Sequence, residues 1–319
     1  MKSGAVLVAG ERSPRGSAPL LTQDEADASE LWGFAEGDEI VPGRYAVRLL
    51  GGGKRFEAYL AWDDDLHALV VVKILRPHRA DDARWLEGLA KEADILTRLQ
   101  HPVIVRSFDA TLAGPRPHLV LEFLEGPRLS RLLRKYGKLS YEQLLPLGLQ
   151  VASALHYMGT REVLHLDIKP QNIIMGAPPR LIDLSVAHTF EEGVTLDSPV
   201  GTDAYMAPEQ CRPTELGGVD SKADVWGLGV TLYESIVGVR PFPSPQGAEG
   251  SRVDWPQLNH GVPALPADVP RVLAELVLCM LEPLPEDRPG PADVAAILEE
   301  LVTFLPRKPV LGRLKPTLG

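Results

Sequence analysis

The chain has 319 residues, 33 of them Lys or Arg and 43 Asp or Glu, for a formal net charge of −10. The acidic balance argues against a nucleic-acid binder, which usually carries a basic excess. Two cysteines, Cys211 and Cys279, cannot build a disulfide framework, so a reducing, cytoplasmic setting is expected. No run approaches the roughly 20 apolar residues of a membrane-spanning helix, and the apolar patch Ala5 to Ala9 is too short for a signal-peptide core. Neither membrane insertion nor export is therefore expected.

Residues 1–43 mix Ser, Pro, Gly and acidic residues without sustained apolar periodicity. They read as a disordered N-terminal tail. Folded structure is expected from Arg44. Tyr45 to Leu50 reads as a strand ending at Gly51-Gly52-Gly53. Phe56 to Trp62 reads as a second strand, closed by the turn Asp63-Asp64-Asp65, and the Val-rich run Leu69 to Leu75 as a third. Asp81 to Leu99 carries Trp85, Leu86, Leu89, Ala93 and Leu96 at helical spacing. His118 to Phe123 is strand-like again. Beyond Gly126 the chain turns helical. Ser140 and Gln143 form a capping box for a helix that contains Pro146, and later helices are expected over Val225–Val237, Val272–Leu281 and Ala292–Leu301. The short tail 305–319 carries Arg307, Lys308, Arg313 and Lys315 and no acid.

The segment richest in chemistry is His165-Leu166-Asp167-Ile168-Lys169-Pro170-Gln171-Asn172. An Asp is followed by a Lys two positions on and an Asn five positions on. Asp183-Leu184-Ser185 follows an apolar pair, and Gly201-Thr202-Asp203-Ala204-Tyr205-Met206-Ala207-Pro208-Glu209 comes next. Upstream, Lys73 ends the Val-rich strand and Glu92 lies on the next helix.

In these motifs, over residues 44–304, the chain resembles the eukaryotic-type Ser/Thr protein kinases, particularly the bacterial Hanks-type members. The resemblance implies an α+β, bilobal fold. A small β-rich N-lobe with one main helix would span 44–121, a hinge 122–126 and a larger helical C-lobe 127–304. It also implies transfer of the γ-phosphate of ATP to Ser/Thr hydroxyls of protein substrates, with Mg²⁺ or Mn²⁺. Nothing in the sequence sets an oligomeric state.

Carried over position by position, Asp167 would orient the acceptor hydroxyl and take its proton. Lys169 would contact the γ-phosphate, and Thr202 would hydrogen-bond into the Asp167–Lys169 pair. Lys73 would grip the α- and β-phosphates, held by Glu92. Asn172 and Asp183 would bind the metal, hard oxygen donors being what Mg²⁺ prefers. Gly51, Gly53, Ala58, Val71, Leu121, Glu122, Leu124 and Ile174 would surround the nucleotide, with Leu121 as gatekeeper and Glu122-Phe123-Leu124 as hinge. Structural roles fall to His165, to Asp224 beneath the catalytic loop, and to a Glu209–Arg288 pair. Thr189, Thr195 and Ser198 are candidate phosphosites.

Several residues depart from the family pattern. Phe56 stands where the third glycine of the phosphate loop is expected, and Ser185 replaces the glycine after Asp183-Leu184. Ala58 and Val71 exchange the two side chains that usually cover adenine, so their summed volume is kept. Leu166 replaces the Arg that normally meets a phosphorylated activation segment, so phosphorylation there should not be strictly needed. Arg128 and Gln171 stand where arginine-directed kinases carry acids, which argues against substrates with upstream arginine. A pseudokinase serving as nucleotide-binding scaffold is the alternative reading. A small-molecule kinase fits less well, lacking the Lys169 arrangement and the Gly201–Glu209 segment.

Overall fold

The structure, a computed structural model, describes residues 31–53, 55–244 and 254–305. The sequence-expected tails therefore lie outside the described residues over 1–30 and 306–319.

The N-terminal half is built on one antiparallel sheet of strands β1 (Glu39–Val41), β2 (Arg44–Gly52), β3 (Phe56–Asp63), β4 (Ala68–Leu75), β5 (Ser107–Thr111) and β6 (His118–Glu122), in the order β1-β2-β3-β4-β6-β5. Helix α1 (Ala83–Arg98) interrupts it between β4 and β5. Asp82 caps α1 by accepting from the Arg84 N–H. Its buried stripe is Leu89, Glu92, Ala93, Ile95 and Leu96. Glu92 is the charged member of that stripe.

Register decides what faces the cleft below the sheet. Ala58 pairs with Lys73, Leu60 with Val71, and Val71 with Leu121. Cross-strand partners share a face, as do residues two apart. Phe56, Ala58, Val71, Lys73 and Leu121 therefore line one side of the sheet. The alternate residues Tyr59, Ala61, Val70, Val72, Ile74 and Val120 are buried on the other side.

That second face is covered by the chain itself, which corrects the boundary expected at residue 43. Ile40 and Val41 are buried, β1 pairs with β2, and Trp32 and Phe34 pack on the outer cluster. Phe34 meets the Tyr59 ring edge-on at 5.4 Å and stacks on Trp32 at 5.9 Å. Arg116 lies over both and donates to the Glu39 and Ile40 carbonyls. Polar composition hid this segment. Its four large apolar residues bury against a sheet face that sequence periodicity leaves without a partner.

Beyond the sheet come α2 (Leu129–Tyr136) and α3 (Tyr141–Thr160), then the short strands β7 (Val163–Leu164), β8 (Ile173–Ile174), β9 (Arg180–Leu181) and β10 (His188–Thr189). The capping box Ser140/Gln143 opens α3, and Pro146 is accommodated within it. Helix α4 (Phe190–Val194) and short helices α5 (Pro208–Cys211) and α6 (Pro213–Leu216) lead to α7 (Ser221–Val237), which is buried along nearly its whole length. Helices α8 (Pro256–Asn259), α9 (Arg271–Met280) and α10 (Pro291–Thr303) complete the lobe. The main core runs continuously from α1 and β6 through α3, α7, α9 and α10. β9 reaches toward the sheet lobe: Val105 donates to the Leu181 carbonyl and Leu181 to the Val103 carbonyl.

Candidate active site

The cleft lies between the inner sheet face and the loops after β7 and β9. From above, Lys73 Nζ donates to both oxygens of Glu92, at 2.7 and 2.8 Å, and to Asp183 Oδ1 at 2.8 Å. This contact joins the sheet, α1 and the loop after β9. Burial by itself would lower the Lys73 pKa, but the carboxylates of Asp183 and Glu92 outweigh it and raise it. Lys73 in turn holds the Asp183 carboxyl well below the ordinary range, against the opposing effect of burial. Burial pushes the Glu92 carboxyl up, opposed by Lys73. The Asp183–Lys73 pair is therefore ionised across the neutral range.

Asp183 reaches this position through strained backbone. It sits at φ +66° and Leu166 at φ +61°, a region that costs a non-glycine residue free energy and persists only when its surroundings fix it. Those surroundings are visible for Leu166. The N–H groups of His165 and Leu166 each donate to Asp224 at 2.7 Å, and the Leu166 carbonyl accepts from Gln210 at 2.9 Å. Asp224 is buried on α7, and burial raises its pKa while His165 and the two N–H donors oppose the rise. Gln210 also donates to the Val200 carbonyl at 2.8 Å, tying the Leu166 loop to the segment beside it. Gln210 had no sequence signal, because its role depends on carbonyls 10 and 44 residues away.

Asp167 sits in the loop that these bonds hold. Its Oδ2 accepts from Lys169 Nζ at 2.6 Å and from Asn172 Nδ2 at 2.9 Å. Its Oδ1 is buried with no partner among the described residues. One oxygen is thus clamped and the other left open. Lys169 Nζ also donates to Thr202 Oγ1. Gly201 next to it has φ +125°, and a Cβ there would lie 2.6 Å from the Leu166 carbonyl oxygen, so only glycine fits.

Asn172 gives its amide hydrogens to the Asp167 carbonyl, at 3.0 Å, and to Oδ2. Its amide oxygen is the atom left for a cation. With the half-exposed carboxylate of Asp183 this makes two hard oxygen donors. Mg²⁺ fits such a set, because it takes most of its ligands from water and phosphate rather than from a protein cage.

The residues expected to form the hinge begin at the last residue of β6. Leu121 is buried at the end of the strand. The Glu122 side chain turns away to bond Arg106 and Arg180, leaving only backbone for a ligand. Leu124 lies past the strand ladder. Gly126 has φ +129°, and a Cβ there would sit 2.2 Å from the Met175 carbonyl oxygen. That close approach seats the hinge on the β8 region, where Ile174 is buried. Ala58 and Val71 are half-buried on the opposite wall, while Gly51 and Gly53 are exposed at the end of β2 and just beyond it.

Below, Glu209 and Arg288 form a bidentate buried pair at 2.6 and 2.8 Å. In the segment between, Thr189 caps α4 through a capping box with Glu192, so its hydroxyl is engaged rather than free. Thr195 Oγ1 donates to the carbonyls of Glu191 and Glu192, and both Thr195 and Ser198 are exposed. Glu192 also meets Lys91 of α1 at 2.9 Å. Sequence reading did not find this pair, since neither residue belongs to a motif.

This geometry meets an independent comparison. The family model for the protein kinase domain matches residues 45–299. The chain belongs to the protein kinase family. The kinase domain is 33% identical over 210 residues to the serine/threonine-protein kinase PknB of Mycobacterium tuberculosis, covering 62% of this chain and 33% of that protein. It is 28% identical over 250 residues to the serine/threonine-protein kinase PrkC of Bacillus subtilis, covering 73% and 37%. A plant relative, the serine/threonine-protein kinase AtPK2/AtPK19 of Arabidopsis thaliana, is 30% identical over 203 residues, covering 63% and 42%. The chain thus spans between a third and somewhat under half of the length of these relatives. Among the described residues, no helix of this kinase is long and apolar enough to cross a membrane.

Proposed function

We propose that this kinase domain transfers the γ-phosphate of ATP to Ser or Thr hydroxyls of proteins, with Mg²⁺ or Mn²⁺. The observation that carries the reading is the division of labour at Asp167. Oδ2 is held by Lys169 and Asn172, and Oδ1 is buried and unpartnered. A carboxylate fixed in this way can accept a hydrogen bond from an incoming alcohol and take its proton as the oxygen bonds phosphorus.

Phosphoryl transfer requires positioning and cationic stabilisation more than covalent chemistry. Lys73 would hold the inner phosphates while Glu92 holds Lys73. Lys169, bonded to both Asp167 and Thr202, would stand beside the reacting group and meet the charge that builds on the transferred phosphoryl oxygens. Asp183 and the Asn172 amide oxygen would hold the divalent cation, which when bound neutralises charge on the phosphates. Ala58, Val71, Leu121 and Ile174 would enclose the base, with backbone of Glu122 and Leu124 for its polar edge and Gly51 and Gly53 over the phosphates. The names of the three relatives support Ser/Thr as the acceptor class.

Leu166 is buried and its backbone is held by Asp224 and Gln210, so no arginine is needed at that position to order the loop. The test is phosphate transfer from labelled ATP to the chain itself or to a generic protein acceptor, in wild type and Asp167→Asn. Transfer lost in the variant, with nucleotide binding retained, supports the reading. Nucleotide binding without transfer in the wild type would return the scaffold alternative.

A further inference from the structure

The Lys73 ammonium has three hydrogens, and all three are engaged: two by the Glu92 oxygens and one by Asp183 Oδ1. Its remaining face is covered by Phe56, whose ring centroid lies 4.7 Å from Nζ. Phe56 opens β3 and shares the inner sheet face with Ala58 and Lys73, because Ala58 pairs with Lys73 and Phe56 is two residues before it. The ring is half-buried and packs against the main core, so its place over the ammonium is set by the strand. Phe56 occupies the position of the third loop glycine, where a glycine would leave the lysine uncovered.

Resting on the nucleotide reading above, we propose that Phe56 is an aromatic gate on Lys73 that weakens binding of nucleotide phosphates without opposing the nucleoside. A phosphate oxygen that is to accept from Lys73 must part the ammonium from the ring or draw it off Asp183. Asp183, were it to hold a divalent cation, would no longer be held by Lys73, which would relieve the second contact. Nothing in the phosphate chemistry replaces the first. An ammonium over an aromatic face in a desolvated cleft is held by the negative face of the ring, and that attraction is lost when the phosphate enters. The base, enclosed by Ala58, Val71 and Leu121, incurs no such loss. Phe56 thereby sets how strongly the kinase domain distinguishes ATP and ADP from adenosine.

The experiment measures the affinities of adenosine, ADP and ATP, with Mg²⁺, for the full chain by calorimetry. Wild type is compared with Phe56→Ala and Phe56→Leu. The leucine variant keeps an apolar side chain of similar bulk that suits a strand but has no π face, and it safeguards the test should the alanine variant fold poorly. The expected result is an ATP-to-adenosine affinity ratio about ten-fold higher in both variants, equivalent to about 1.4 kcal/mol. A rise in Phe56→Ala alone overturns the role of the π face, because leucine would then do what the ring does. An unchanged or lower ratio in both variants, with adenosine and ATP still binding, overturns the gate and leaves the kinase reading standing. No binding of any of the three ligands to the wild type overturns both.

Discussion

Arg288 offers the most demanding test of how the C-terminal lobe is held together. All five of its N–H donors are used. Nε donates to the Glu282 carbonyl, Nη1 to Glu209 Oε1 and the Lys222 carbonyl, and Nη2 to Glu209 Oε2 and the Pro283 carbonyl, over 2.6 to 3.1 Å. The guanidinium also lies 5.0 Å from the Trp226 ring centroid. The two charged side chains are 0% and 1% exposed. Arg288→Ala therefore strands a buried carboxylate and three carbonyls at once. Breaking such a pair from one side costs about 3–5 kcal/mol, a large fraction of a typical domain's ~5–15 kcal/mol. At roughly 2–4 °C per kcal/mol for a lobe of this size, the melting temperature should fall by about 6–20 °C. Urea unfolding followed by Trp fluorescence measures the loss. Arg288→Lys, which keeps the charge but not the planar fork, should lose an intermediate amount. The double variant Arg288→Met with Glu209→Leu should be less damaged than the sum of its singles, because no lone charge remains. A loss below about 1 kcal/mol for Arg288→Ala would mean that the pair is solvated in solution and the argument is wrong.

Four further outcomes are expected. Asp167→Asn should lower phosphate transfer by about 10²–10⁴-fold, the usual range for loss of a general base, with ATP affinity by calorimetry unchanged. The triple variant Thr189→Ala, Thr195→Ala, Ser198→Ala should keep transfer activity, with about 1 kcal/mol lost from the α4 cap at Thr189; a folded but inactive triple variant would contradict the reading of Leu166. Trp32→Phe removes only the indole bond to the Leu75 carbonyl, at 2.7 Å, and should cost about 0.5–1.5 kcal/mol, whereas Trp32→Ala should cost more because it also uncovers the outer sheet cluster. Asp183 has a lowered pKa, so its contribution to stability is complete above the ordinary carboxylate value and is lost only as pH falls through the lowered folded value. The raised pKa of Lys73 keeps the ammonium charged through the same interval. Nucleotide affinity should thus show no ionisation from this pair between about pH 6 and 9, and a step that disappears in Asp183→Asn would refute it.

The lobes, the order of motifs and the residues facing the cleft were legible along the chain because their signals are local. The aromatic and β-branched content of Phe56 to Trp62 and of Leu69 to Leu75 marks strands, and their register puts Ala58 opposite Lys73. The spacing of Asp167, Lys169 and Asn172 is short enough for one loop to fold them onto a single carboxylate. The helical stripe that carries Glu92 points it inward along with Leu89, Ala93 and Leu96. Tertiary structure alone decided the rest. Residues 31–43 read as polar tail because burial of Trp32, Phe34, Ile40 and Val41 depends on a sheet face formed by strands far along the chain. Gln210 matters because it reaches two carbonyls brought together by the fold. Phe56 looked like a missing glycine, and only the approach of its ring to Lys73 gives it a role. A sequence displays the periods of helices and strands and the chemistry of a loop. It does not display which groups meet across the core, because those distances are set by packing of the whole chain.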